Sequence, residues 1–174
     1  YVKNYEVWLE YGLPSIHNRT LALINRGHIY ADFLKAVELT RRKKDIKICA
    51  HVIIGLPGES KEDILATAKE LGRLKIEGIK THPLHIIKGT KLEQFYRKGK
   101  YQALKLSQYL ELATEFLEYL WPRTIIQRIT ADCPREFLVA PQWISEKNEL
   151  LSKIEQTFQE KGSFQGKLWR AGQK

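Results

Sequence analysis

One run of twelve residues constrains this chain more than any other. Cys49-Ala50-His51-Val52-Ile53-Ile54-Gly55-Leu56-Pro57-Gly58-Glu59-Ser60 begins as a short apolar stretch, stops at a glycine-proline turn, and passes into a helical pattern. A short apolar run bounded by turn residues reads as a buried strand. Ser60 is a natural helix N-cap, with Asp63 as the acid of a capping box. Ile64, Leu65, Ala68 and Leu71 then fall on one helical face. Strand, turn and capped helix make the βα unit of an α/β protein, and ligands sit at the carboxyl ends of such strands.

The strand has two unlike faces. Ile48, Ala50, Val52 and Ile54 share one; Lys47, Cys49, His51 and Ile53 share the other. A parallel strand covered on both sides reads as continuous Val, Ile and Leu. A polar face costs free energy unless it serves a ligand, a metal or an internal pairing.

Two further strands repeat the pattern. Residues 5–12 alternate Val7, Leu9 and Tyr11 against Glu6, Trp8 and Glu10. Residues 78–85 alternate Lys80, His82 and Leu84 against Ile79, Thr81 and Pro83, with Pro83 interrupting or ending the ladder. Helical patterns at 17–25, 30–42 and 61–75 separate these strands, which implies right-handed parallel crossovers. A short helix holds Leu92, Phe95 and Tyr96, and a long one spans 106–120. Residues 124–130 form a fourth, β-branched strand, and 137–143 are irregular. Ser145 is expected to cap a last helix to Lys161 with Leu150, Leu151, Ile154 and Phe158 inward, and the tail from Gly162 is expected to be loose. Glu10, His51 and His82 each stand near the carboxyl end of a strand and would look into one lumen, with His85 at its rim.

At 174 residues the chain is about one domain. No apolar run approaches the roughly 20 residues of a membrane span. Cys49 and Cys133 make no metal motif or disulfide framework, and a reducing cytoplasm is the expected compartment. The net charge of +9 permits an acidic partner; the Arg41-Arg42-Lys43-Lys44 block also reads as a solvated helix end. With no methionine and a strand pattern from the first residues, the sequence is expected to be a piece of a longer protein.

Four segments, in order and spacing, carry a resemblance: Val7-Trp8-Leu9-Glu10-Tyr11-Gly12-Leu13-Pro14-Ser15-Ile16-His17, Ile24-Asn25-Arg26-Gly27-His28, Ala50 to Glu59, and Gly78 to Thr90. Arg128-Ile129-Thr130 and Ala140-Pro141-Gln142-Trp143 extend it. Over nearly its whole length the chain resembles the radical S-adenosylmethionine superfamily. Within it, the resemblance is to an uncharacterised Fe–S oxidoreductase subgroup related to the Elongator catalytic subunit and to oxygen-independent coproporphyrinogen oxidase. The resemblance implies an α/β fold, the C-terminal half of a partial (β/α)6 TIM-like barrel, with a mostly helical C-terminal extension. Residues 1–100 would form the half-barrel and 101–174 the extension packed on it.

It also implies the cofactors, S-adenosylmethionine and a 4Fe-4S cluster. In the family a Cys-x3-Cys-x2-Cys loop holds the cluster, and reductive cleavage of S-adenosylmethionine gives a 5′-deoxyadenosyl radical that abstracts a substrate hydrogen. That loop is missing from this sequence, so the piece alone is expected to be inactive. An electron donor such as flavodoxin or ferredoxin is implied, and the substrate is tRNA or a small molecule. Carried onto this chain, Arg26 meets the methionine part of the cofactor. Glu10 and His51 face the lumen, His51 at the ribose. Ile53 and Gly55 lie beside the adenine and Leu84 at its edge, while His82 and His85 are substrate contacts. Relatives read Gly-Leu-Gln where this chain has Gly12-Leu13-Pro14, and Ser15 is the candidate to replace the lost amide.

Other readings use the same residues. Glu10 could instead pair with Lys80 or Lys47, His51 could be a satisfied core histidine, and Arg26 could be a helix-end cation. Cys49 reads as a small buried apolar residue rather than a reactive thiol. Glu10, His51, His82 and His85 are also residue types for a metal-dependent barrel hydrolase, although no His-x-His or His-x3-His pair supports it. A catalytically silent basic RNA-binding module is the third reading. The half-barrel leaves the strand near Val7 to Tyr11 with an unpaired edge, so self-association is expected.

Overall fold

The computed structural model describes residues 4–172. Its first strand, β1 (Val7–Gly12), leads through α1 (Asn18–Leu23) and α2 (Tyr30–Arg41) to β2 (Ile46–Ile54). α3 (Lys61–Arg73) crosses to β3 (Gly78–Pro83), followed by β4 (Ile86–Ile87), α4 (Lys91–Arg97), α5 (Leu106–Tyr119) and β5 (Ile125–Arg128). β6 (Leu138–Ala140), a 3-10 turn (Gln142–Ser145) and α6 (Lys147–Glu160) complete the described elements. β1, β2, β3 and β5 form one sheet in that order, all parallel. This is the open parallel sheet with covering helices expected of a partial barrel.

The two-faced reading of β2 holds in space. Ile48, Ala50, Val52 and Ile54 are at most 2% exposed and join Val37, Ile64, Ala68, Leu71, Ile79 and Phe116 in one apolar cluster. That cluster draws on α2, α3 and α5 together, so residues from both halves of the chain build one core. The Ser60–Asp63 capping box forms in both directions, Asp63 N to Ser60 Oγ at 3.3 Å and Ser60 N to Asp63 Oδ2 at 2.9 Å.

Four details differ from expectation. Residues 138–140 are a strand, paired antiparallel with β4; three residues are too few to show alternation. Ser145 ends the 3-10 turn, and Glu146 occupies the N-cap of α6. On that helix Leu150 and Ile154 are buried while Leu151 is about half exposed. The tail is docked: Leu168 N donates to Glu118 O, Gln165 Nε2 to Thr124 O at 2.7 Å, and Trp169 Nε1 to Gly72 O at 2.9 Å. Gly72 has no room for a side chain, because a Cβ would overlap the Tyr119 carbonyl oxygen and crowd Trp169.

Candidate functional site

In a parallel ladder, residues in register share a face. β1 and β2 pair Glu10 with Cys49 and Gly12 with His51; β2 and β3 pair His51 with Lys80 and Ile53 with His82. The face away from the helices therefore carries Glu10, His51, Lys80 and His82 on three adjacent strands. Glu10 Oε2 lies 2.7 Å from His51 Nε2, and Lys80 Nζ lies 2.6 Å from both Glu10 oxygens. The His51 and His82 rings are 6.0 Å apart between centroids. Of the alternatives for Glu10, the partner is Lys80; Lys47 pairs with Glu6 instead at 2.6 Å.

This group remains open to solvent. The Glu10, His51 and Lys80 side chains keep 41%, 34% and 19% of their exposure, so the ion pairs themselves contribute only about 0–1 kcal/mol. The Lys80 ammonium holds the Glu10 carboxyl below the usual glutamate range, helped by His51. Burial pushes His82 toward neutrality, and the Arg128 and His51 charges act in the same direction. Burial and the neighbouring Glu10 push the Cys49 thiol up to about 11, which fits a small inert core residue.

Arg26 follows α1 and reaches back to the end of β1, where its Nη2 donates to Gly12 O at 3.3 Å. A Cβ on Gly12 would overlap that nitrogen, so the close approach requires glycine. The Arg26 Nε is buried and has no hydrogen-bond partner among the described residues. Arg26 and Glu10 line one hollow of about 480 Å³ with Gly12, Tyr11 and His28. Ile53 and Leu84 line a second, more apolar hollow of about 430 Å³, with Ile24, Asn25, Leu56 and Phe95. Consecutive residues Asn25 and Arg26 line one hollow each.

Three expected site residues lie elsewhere. Ser15 is fully buried, donates its hydroxyl to Glu59 and accepts from His17 N at 3.0 Å, so it does not replace an amide in the cleft. Gly55 turns the chain at φ +97°, and its surroundings are Leu104 and Tyr101, whose hydroxyl donates to Gly55 O at 2.8 Å. It follows the last residue of β2 and meets the segment leading into α5 rather than a hollow. His85 follows the strand, its Nδ1 3.2 Å from the Pro83 carbonyl oxygen. Sequence reading gave Arg128 no role beyond the resemblance, and it put Lys80 forward only as a partner for Glu10.

Among the described residues no group of three or more His, Cys, Asp or Glu is arranged to hold a metal ion. The hydrolase reading therefore has no ligand set here, and the same residues do not fit a 4Fe-4S cluster. S-adenosylmethionine fits better: a buried, unpartnered guanidinium nitrogen, a carboxylate–imidazole pair and an apolar hollow suit an amino acid, a ribose and a base.

A model of the radical SAM superfamily matches residues 1–71, and a model of the radical SAM C-terminal domain matches residues 76–160. The chain belongs to the radical SAM superfamily. Among the relatives, an uncharacterized protein of Methanocaldococcus jannaschii is 42% identical over 168 residues, covering 95% of this chain and 52% of the relative. The chain thus spans about half the length of that curated relative. A tRNA uridine(34) acetyltransferase from the same organism is 28% identical, covering 83% of this chain and 27% of the enzyme. The solved structure of the archaeal Methanocaldococcus infernus Elp3 with an N-terminal deletion superposes with a TM-score of 0.81 at 24% identity. It covers 94% of this chain and 38% of the Elp3 chain, a likeness of fold. No described helix is long and apolar enough to cross a membrane.

Proposed function

We propose that this chain forms one wall of a radical S-adenosylmethionine active site and holds the cofactor while cluster ligands come from outside the described residues. The observation that carries this reading is the convergence of Glu10, His51 and Lys80 on one face of a parallel sheet, with a buried Arg26 nitrogen that has no hydrogen-bond partner among the described residues. S-adenosylmethionine held there would supply radical chemistry for hydrogen abstraction.

Each residue has a task that follows from its chemistry. Arg26 presents a fixed cation to the cofactor carboxylate, held in place by the Gly12 carbonyl. Glu10, kept ionised by Lys80, accepts from ribose hydroxyls or orients His51 toward them. Ile53 and Leu84 cover the base with apolar surface and exclude water from it. His82 contacts substrate in its neutral form.

The 174 residues alone are inactive in this reading. Cys49 is buried at high thiol pKa, and Cys133 lies in the loop before β6, so neither takes part in a cluster site. An electron donor of the flavodoxin or ferredoxin kind serves the whole enzyme. The substrate is either a tRNA, as the name of the acetyltransferase relative indicates for that protein, or a small molecule.

Calorimetry with S-adenosylmethionine tests the reading. Wild type binds and Arg26→Ala binds at least about tenfold more weakly, the loss expected for a charged hydrogen bond, with an unchanged unfolding midpoint. Equal affinity in the two proteins removes Arg26 from the site.

A further inference from the structure

We propose that Arg128, at the end of β5, forms with His82 and Lys80 an anion seat on the polar face of the sheet, and that the substrate carries a phosphate or carboxylate group that docks there. This rests on the reading of that face as an active-site wall.

Register puts Arg128 there. β3 and β5 pair Gly78 with Ile125 and Ile79 with Ile126, and the ladder then slips so that Lys80 pairs with Arg128. A bulge of this kind places an extra residue on one strand and re-aims the side chains around it. Gln127 keeps its amide against the polar side of Gly78, where a Cβ would lie 3.0 Å from Gln127 Nε2. Arg128, one residue on, stands opposite Lys80 and acts electrostatically on His82. Two neighbouring strand residues thereby serve the same face.

Charge on this face is not balanced. The carboxylate that touches the group is Glu10, and it is bonded by both Lys80 and His51. Arg128 makes no ion pair with a carboxylate among the described residues. An exposed guanidinium fork and the Lys80 ammonium match an oxyanion, which accepts from both cations, with the His82 ring alongside as the reporter of its binding. Arg26, the proposed partner of the cofactor carboxylate, follows α1 and bonds to β1, whereas Arg128 is on β5 at the opposite side of the sheet. The two cations therefore answer to different anions.

Inorganic phosphate is the probe. Titrated into the chain at constant ionic strength, it should give saturable 31P line broadening and shift the His82 ring proton. Arg128→Ala should weaken that response at least about fivefold, while Lys98→Ala, on an exposed turn, leaves it unchanged. Arg128 is exposed on an edge strand, so the variant should keep the wild-type unfolding midpoint. A response that does not saturate, or is equal in Arg128→Ala and wild type, overturns the proposal. Acetate in place of phosphate separates the two anion classes: a matching saturable response favours a carboxylate, and phosphate alone favours a phosphoester. S-adenosylmethionine added last should leave the phosphate response intact; its loss would assign the seat to the cofactor and overturn the proposal. Failure of S-adenosylmethionine to bind would sink the cofactor reading and leave the phosphate result standing.

Discussion

Glu10 and His51 meet across the β1–β2 ladder, Oε2 to Nε2 at 2.7 Å, although 41 residues separate them. Lys80 reaches the same carboxylate from the next strand but one, so three strands are tied through one side chain. Glu10→Gln should change stability by less than about 1 kcal/mol, because the group is solvent-accessible. It should weaken S-adenosylmethionine binding nonetheless. In 13C NMR titrations the Glu10 carboxyl should titrate below 4.5 and move back up in Lys80→Ala.

Gly12→Ala separates space from charge. The backbone of β1 accepts alanine, but the new methyl takes the place of the Arg26 guanidinium. The variant should fold with a Tm near wild type and bind S-adenosylmethionine as weakly as Arg26→Ala. Wild-type affinity would show that the guanidinium can bind from elsewhere.

Glu59 supplies a pH signature. Its half-buried carboxyl accepts from Ser15, and burial raises its pKa above 4.5. A raised folded pKa favours the protonated form, so its stabilising contribution is full below about 4.5 and is lost as pH rises through the folded value. Glu59→Gln should therefore have a higher Tm than wild type at pH 7.5, and the gap should close toward pH 4. A constant gap across that range would mean that Glu59 is not titrating as described.

The two cysteines should react unequally. Iodoacetamide at pH 8 should label Cys133, which is partly exposed, and spare Cys49 until the chain is unfolded in urea. Labelling of Cys49 in the folded protein, read by mass spectrometry, would contradict the packing of β2.

The β1 edge makes a prediction about assembly. Among the described strands β1 pairs with β2 alone, so its other edge has no strand partner there. We expect the isolated chain to self-associate through this edge; light scattering at rising concentration should show a mass above 20.3 kDa. A Val7→Pro variant should lower it.

The legible parts of this fold were those with a period. Ile48, Ala50, Val52 and Ile54 are buried while His51 and Ile53 are partly exposed, so the two faces, and the expectation that Glu10, His51 and His82 share one of them, followed from counting by two. Cys49, on the polar side yet fully buried, breaks the pattern, and Lys80 entered only as a possible partner for Glu10. The capped start of α3 was legible because Ser60 and Asp63 act within one helical turn. β4 and β6 were not, since strands of two and three residues have no period to detect. Ser15 was misplaced because its partner, Glu59, is 44 residues away and nothing local announces it. The tail looked loose for a similar reason: Trp169 finds the carbonyl of Gly72, 97 residues back. Gly72→Ala should cost about 2 kcal/mol, roughly 4–8 °C in Tm, by unseating both.

The unlike sides of β2 have a consequence for how this protein tolerates change. Even-numbered positions from Ile48 to Ile54 answer to the helices, and odd-numbered ones from Lys47 to Ile53 answer to whatever lies across the sheet. A saturation library read once for abundance and once for ligand capture should show two interleaved rhythms along this strand, offset by a single residue. Chemistry could then drift on one set of sites while the scaffold beneath stays as it is.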